Sequence, residues 1–261
     1  MTIRTRNWIF ILCMIYIGFL SIISFFVLFQ KNAQGMHLTG SLLSMLNDLS
    51  NSQIIKGCLL SLCSEFVLVG IFFYFRRTAS AEVFFLFIFI VVYPQEGILN
   101  IINILTDLRM PVYVMTLGYR LYFCLQFAGI FSLFSAGLFS NNFQYSKLEI
   151  FAGVVLLAAF TLAAFIPIDT TIESVHLFYF KEVLFLLIGI KILSVVNMLF
   201  AAYRQNSIDY IWIGVGTLLL IISREMQTYM TGPSWFGAGL LLFAMGITLY
   251  LRSLHKLYQW L

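Results

Sequence analysis

Long apolar runs separated by short polar clusters dominate the chain. They cover residues 8–29, 57–75, 81–105, 111–139, 148–167, 177–203, 208–224 and 235–252. Each has roughly the 20-residue length that lets a helix cross a hydrocarbon core about 30 Å thick. The pattern therefore predicts an all-α, polytopic transmembrane helix bundle of about eight spans. Residues 1–30 read as a signal-anchor helix, 31–56 as an extracytoplasmic connector, 57–252 as a seven-helix membrane bundle and 253–261 as a cytoplasmic amphipathic tail.

Several runs carry further information. The first follows Arg4 and Arg6 and ends in Phe29-Gln30-Lys31. It exceeds the roughly 7–15 residues of a cleaved signal and lacks a small-residue cleavage site, so an uncleaved anchor is expected. In the connector, Leu38, Leu42, Leu46 and Leu49 recur at helical spacing, the pattern of a short amphipathic helix on a membrane surface. The third run contains Tyr93-Pro94-Gln95-Glu96-Gly97. Proline removes a backbone donor and clashes with the preceding turn, so a kink or partial unwinding is expected there. The fourth run starts at Pro111 and is longer than a bilayer requires, so its first part is expected to project or tilt.

Composition agrees with the pattern: 61% of the residues are hydrophobic and 10% charged. A soluble domain has roughly 25% charged residues. The net charge of +4 does not reflect a clustered basic face, so a nucleic-acid partner is excluded. With the N-terminus cytoplasmic, Arg4, Arg6, Arg76, Arg77, Lys147, Arg204, Arg252 and Lys256 fall on that side. Lys31, Lys56, Arg109 and Arg224 fall opposite. This division follows the positive-inside rule, places both termini in the cytoplasm and implies a multi-pass protein of an inner-type cell membrane. Trp8, Trp212, Trp235 and Trp260 lie near span boundaries, where amphipathic rings are favoured. Cys13, Cys58, Cys63 and Cys124 all lie inside apolar runs, which points to neither a disulfide nor a metal pair.

Ionisable groups inside spans are costly and seek partners or a wet cavity. Counted inward from the expected outer ends, Glu65, Glu96 and Arg120 share a depth in the outer half, with Lys191 deeper. They form the candidate polar cavity: Arg120 and Lys191 receive an anionic group, while Glu65 and Glu96 supply counter-charge. Structural ion pairing, notably of Glu65 with Arg120, is the rival reading. Lys181, Glu182, Arg224 and Glu225 are expected to snorkel to headgroups, and Asn100, Asn103, Gln126 and Asn197 to hydrogen-bond between helices. The pairs Ser132/Ala136 and Ala159/Ala163 have the spacing of close helix approach, which an Ala-rich span also supplies by chance.

Catalytic signatures are absent. His37, His176 and His255 fall in expected loops or tails, and there is no HExxH, GxSxG or phosphate-loop motif, so neither an enzyme activity nor a cofactor is expected. No catalytic, cofactor or metal residue is assigned.

Setting the anchor aside, seven spans remain, with Gly97 late in a kinked span, Phe- and Leu-rich central spans, and the closing stretch Gly237-Ala238-Gly239 through Leu251-Arg252-Ser253-Leu254-His255-Lys256. This layout resembles the bacterial seven-transmembrane receptor modules that are coupled to diverse intracellular signalling domains. The resemblance implies a sensor or receptor-like role. In those receptors the last span leads into an output domain, whereas here Trp260-Leu261 closes the chain, so a separate cytoplasmic signalling protein is the expected partner. Ile247, Tyr250 or Leu251, Leu254, Leu257 or Tyr258, and Leu261 continue an apolar three-four rhythm that can pair with another helix. Other expected partners are the lipid bilayer and a small anionic ligand. The alternatives are a small-solute transporter, or an accessory subunit or assembly factor with a membrane-complex partner.

Overall fold

The computed structural model describes residues 3–33, 53–75, 80–141, 148–166, 181–229 and 232–259. The helices are α1 (Ile3–Ala33), α2 (Gln53–Phe75), α3 (Ala81–Val92), α4 (Glu96–Asp107), α5 (Val112–Ser140), α6 (Leu148–Phe165), α7 (Lys181–Gln205), α8 (Ile208–Tyr229) and α9 (Pro233–Gln259). Among the described residues there is no strand. The chain is an all-α, multi-pass membrane protein. With α3 and α4 counted as one interrupted span, seven helices are long and apolar enough to cross a bilayer. The one expected span not among those seven is 208–224, which forms α8, a helix of 22 residues that carries Asp209, Arg224 and Glu225. The expected connector helix, His37 and His176 lie outside the described residues.

The interrupted span is the centre of the bundle. Of its most apolar stretch 83% is buried, and of α5's 67%, whereas no other span exceeds 39%. Helix α3 presents almost only bulky apolar side chains, and Phe84, Phe85, Leu86, Phe87, Phe89 and Ile90 are all buried. Helices hydrophobic all round belong inside a bundle. Helix α5 packs against α3, α4, α6 and α7, while α1 and α2 cover the remaining flank of the broken rod. Ser132, Ala136, Ala159 and Ala163 are buried, so both small-residue pairs face protein.

The break occurs where the Pro94 motif predicts it. Tyr93 N–H donates to Ile90 O at 3.3 Å, Gly97 N–H to Pro94 O at 3.0 Å and Ile98 N–H to Gln95 O at 2.9 Å. These three-residue turns replace the ladder that proline interrupts. Two other connections are equally short. Arg109 and Asn206 adopt positive φ of 52° and 50°. Met110 N–H reaches Leu105 O, and Ser207 N–H reaches Ala202 O, the six-to-one bond of a Schellman closure. These closures satisfy orphan carbonyls within the turn and lead directly into α5 and α8.

Helices α8 and α9 cross in close contact. A Cβ at Gly216 would stand 2.9 Å from Gly246 O, and one at Gly246 would stand 3.0 Å from Gly216 O. In lipid, where apolar surface gives no net drive to associate, such backbone approach is a main source of helix pairing. Helix α9 runs unbroken through 253–259, the greater part of the segment read as a tail, and Ser253 and Leu254 are buried. His255, expected in that tail, accordingly lies on a helix, edge-on to Tyr74 at 5.7 Å.

Gly216→Leu is expected to lower the unfolding free energy in detergent by about 1–3 kcal/mol, the usual cost of overpacking. Gly189→Leu, where an added side chain would meet nothing within 4 Å, is expected to leave the transition unchanged; thermal unfolding of both variants checks this.

Candidate functional site

The unwound turn and helix α8 together build a buried polar cluster. Along α8, Gly216, Thr217, Leu220, Ser223, Arg224, Gln227 and Thr228 recur at intervals of one, three and four residues, and all are buried. The spacing gathers them on one face. That face meets the break: Arg224 Nη2 donates to Gln95 Oε1 and, at 3.4 Å, to Leu125 O of α5. The guanidinium also lies 5.7 Å from the centre of the Phe89 ring, within cation–π range. Arg224 is only 4% exposed, so the expectation that it snorkels to headgroups is corrected. Helix α8 extends more than a turn beyond it, and Gly129 of α5 leaves the space it occupies: a Cβ there would stand 1.8 Å from Arg224 Nη1.

A second connection runs through the same turn. Ser223 Oγ donates to Gly239 O at 2.7 Å. Its single proton is thereby used, so Tyr93 Oη is the donor in the 2.7 Å Tyr93–Ser223 bond. Tyr93 also stacks on Phe243 of α9, with centroids 4.2 Å apart. The break is therefore joined through α8 to α9.

At the start of α4, Glu96 is 5% exposed and accepts from Tyr122 Oη at 3.2 Å. Lys56 and Arg224 are the cations that act on it electrostatically. The rest of the expected cavity is dispersed. Glu65 faces α1, with Oε1 3.5 Å from a Cβ placed at Gly18. Arg120 is exposed on α5. Lys191 pairs with Glu225 at 2.7 Å, joining α7 to α8. Glu225 thus joins a neighbouring helix. No ion pair or hydrogen bond links any two of Glu65, Glu96, Arg120 and Lys191, and the Glu65–Arg120 pair does not form. Of the expected interhelical amides, Asn100 and Gln126 are buried, and Asn197 uses its backbone carbonyl to accept from Asn141 Nδ2 at 2.9 Å. The side chains of Asn103, Lys181 and Glu182 lie outside the described residues.

A further polar cluster, at the other end of α3, has no counterpart in the sequence reading. Glu82 is 3% exposed, and its two oxygens accept from Tyr210 Oη of α8 and Tyr258 Oη of α9, each at 3.2 Å. Ser80, the N-cap of α3, donates to Tyr258 Oη at 2.8 Å and accepts from Val83 N–H at 3.4 Å. The carboxylate also lies in the first turn of α3, where the helix dipole favours negative charge. The sequence signal was an acid one residue into an apolar run; its tyrosine partners lie 128 and 176 residues away.

Among the described residues, no group of three or more His, Cys, Asp or Glu side chains is placed to hold a metal. The fold and its two buried polar clusters define the class: a multi-pass helical membrane protein built around an interrupted central span. Comparison with protein-family models, curated proteins and solved structures gives no match.

Gly129→Ala is expected to cost about 1–3 kcal/mol, because the guanidinium must move. In an Arg224→Ala background the same change should cost less than about 0.5 kcal/mol, and a double-mutant cycle on unfolding measures the coupling. Glu82→Leu removes the acceptor of two tyrosine hydroxyls, at about 1–3 kcal/mol for each group left buried without a partner. Amide hydrogen exchange should then accelerate in the last two turns of α9, with Glu82→Gln closer to wild type.

Proposed function

We propose that the protein is a sensor-like membrane module in which the interrupted central span is the responsive element and the α8–α9 pair is its reporter. The observation that carries this reading is the run of bonds from Tyr93 at the break through Ser223 to Gly239 of α9. A change in the packing of the unwound turn must break or carry along this connection. Close crossing at Gly216 and Gly246 makes α8 and α9 move together. At the far end, Tyr258 bonds to Glu82 of the same central span, so α9 is attached to both ends of α3. Two packings of such an element, biased by a ligand, are what a sensor requires.

The partner in this reading is a separate cytoplasmic signalling protein that meets the end of α9. The basic residues at the ends of α1, α7 and α9 support cytoplasmic placement of both termini in an inner-type membrane. A small anionic ligand is supported by buried Arg224 beside the break. A second reading, a small-solute transporter, draws on the same break, because transporters place binding sites at discontinuous helices near the bilayer midplane.

The test is affinity purification from native membranes in mild detergent, with partner yield measured by mass spectrometry for wild type, Tyr93→Phe and Tyr258→Phe. The sensor reading expects a cytoplasmic protein in near-equal amount, and a severalfold lower yield for each variant with the fold retained. Absence of such a protein, or an unchanged yield in both variants, overturns it. Solute flux into proteoliposomes would then select the transporter.

A further inference from the structure

Helices α2 and α9 leave a cavity of about 370 Å³ between them, lined from Val67 to Phe75 on one side and from Ile247 to His255 on the other. Val67 and Gly70 of α2 face Ile247 and Leu251 of α9 across it, and Tyr74, Arg252 and His255 stand at one end. Gly70 keeps the wall open: a Cβ placed there meets nothing within 4 Å. Val67 to Tyr74 and Ile247 to His255 each span about 10–12 Å of helix, roughly a third of a bilayer's hydrocarbon thickness. The groove is thus apolar along its length and cationic at one end.

The acidic groups near that end are already engaged. Glu82 is buried and turned toward Tyr210 and Tyr258, and Asp209 faces Lys256 at 4.0 Å. No carboxylate among the described residues pairs with Arg252. An arginine and an imidazole at the end of an apolar groove complement one membrane component in both charge and shape.

We propose that this groove is a binding site for an anionic phospholipid, with one acyl chain lying between α2 and α9 and the phosphate held by Arg252 and His255. Arginine supplies several fixed donors to phosphate oxygens, and the imidazole supplies another. Anionic lipid is attracted to juxtamembrane basic residues in general, but the groove adds a seat for the chain, so the site distinguishes a lipid from a free anion. The inference needs only that the bundle spans a membrane, and it stands whether the protein senses or transports.

The test uses the full chain in nanodiscs of phosphatidylcholine with a minor fraction of phosphatidylglycerol, released into native mass spectrometry. Wild type is expected to retain one phosphatidylglycerol in preference to phosphatidylcholine. Arg252→Gln/His255→Gln and, separately, Gly70→Leu should each reduce that retention at least tenfold. Arg120→Gln, on an exposed face of α5, should retain the lipid as wild type does. Millimolar inorganic phosphate should not displace it. Equal retention of both lipids, equal retention in all variants, or displacement by phosphate overturns the proposal. Gly70→Leu enters open space, so it tests the chain seat without altering the charges.

Discussion

A guanidinium buried among helices in a bilayer must find its hydrogen-bond acceptors within the protein, because no water of the hydrocarbon core can supply them. Arg224 finds them where the central span is interrupted: at the side chain of Gln95 and at the carbonyl of Leu125. The polar turn thus supplies an acceptor to the cation, and the cation a donor to the turn. Without the break, Gln95 would sit within a continuous apolar rod; without the arginine, its buried amide oxygen would lose that donor. Removing either partner leaves a buried polar group whose desolvation is no longer offset.

The consequences extend through the bundle. The length of the Arg224 side chain sets the distance between α8 and the turn, and Gly129 sets how closely α5 can approach. Ser223, the neighbour of Arg224, extends the same contact to the backbone of α9 through Gly239. Glu82, with Tyr210 and Tyr258, repeats the principle at the opposite end of α3. Three elements distant in sequence are thereby held at two levels of the membrane, and a helix pair held at two levels transmits displacement better than one that frays at one end.

The lipid-facing exterior has the opposite character. Large apolar side chains such as Phe66, Phe165 and Phe185 remain exposed on the bundle surface, as expected where acyl chains are the solvent. Trp8, Trp212 and Trp235 are about half-exposed near helix ends, consistent with interfacial anchoring. The groove between α2 and α9 departs from this uniform surface because Arg252 and His255 stand at one end of it.

The apolar segments that become helices and the interruption at Pro94 were legible in the sequence, because apolar runs and the missing proline donor are local properties. The partners were not legible. Counting depth along separate helices placed Glu65, Glu96 and Arg120 at one level but said nothing of helix rotation, and the bundle turns Glu65 toward α1 and leaves Arg120 exposed. Arg224 near the end of a run looked like a snorkelling residue, because neither the continuation of α8 nor the space beside Gly129 can be read from α8 alone. A local pattern determines which segments enter the membrane. Which faces meet is decided by the joint packing of all the helices, and that packing brings Arg224 to Gln95 and two tyrosines to Glu82.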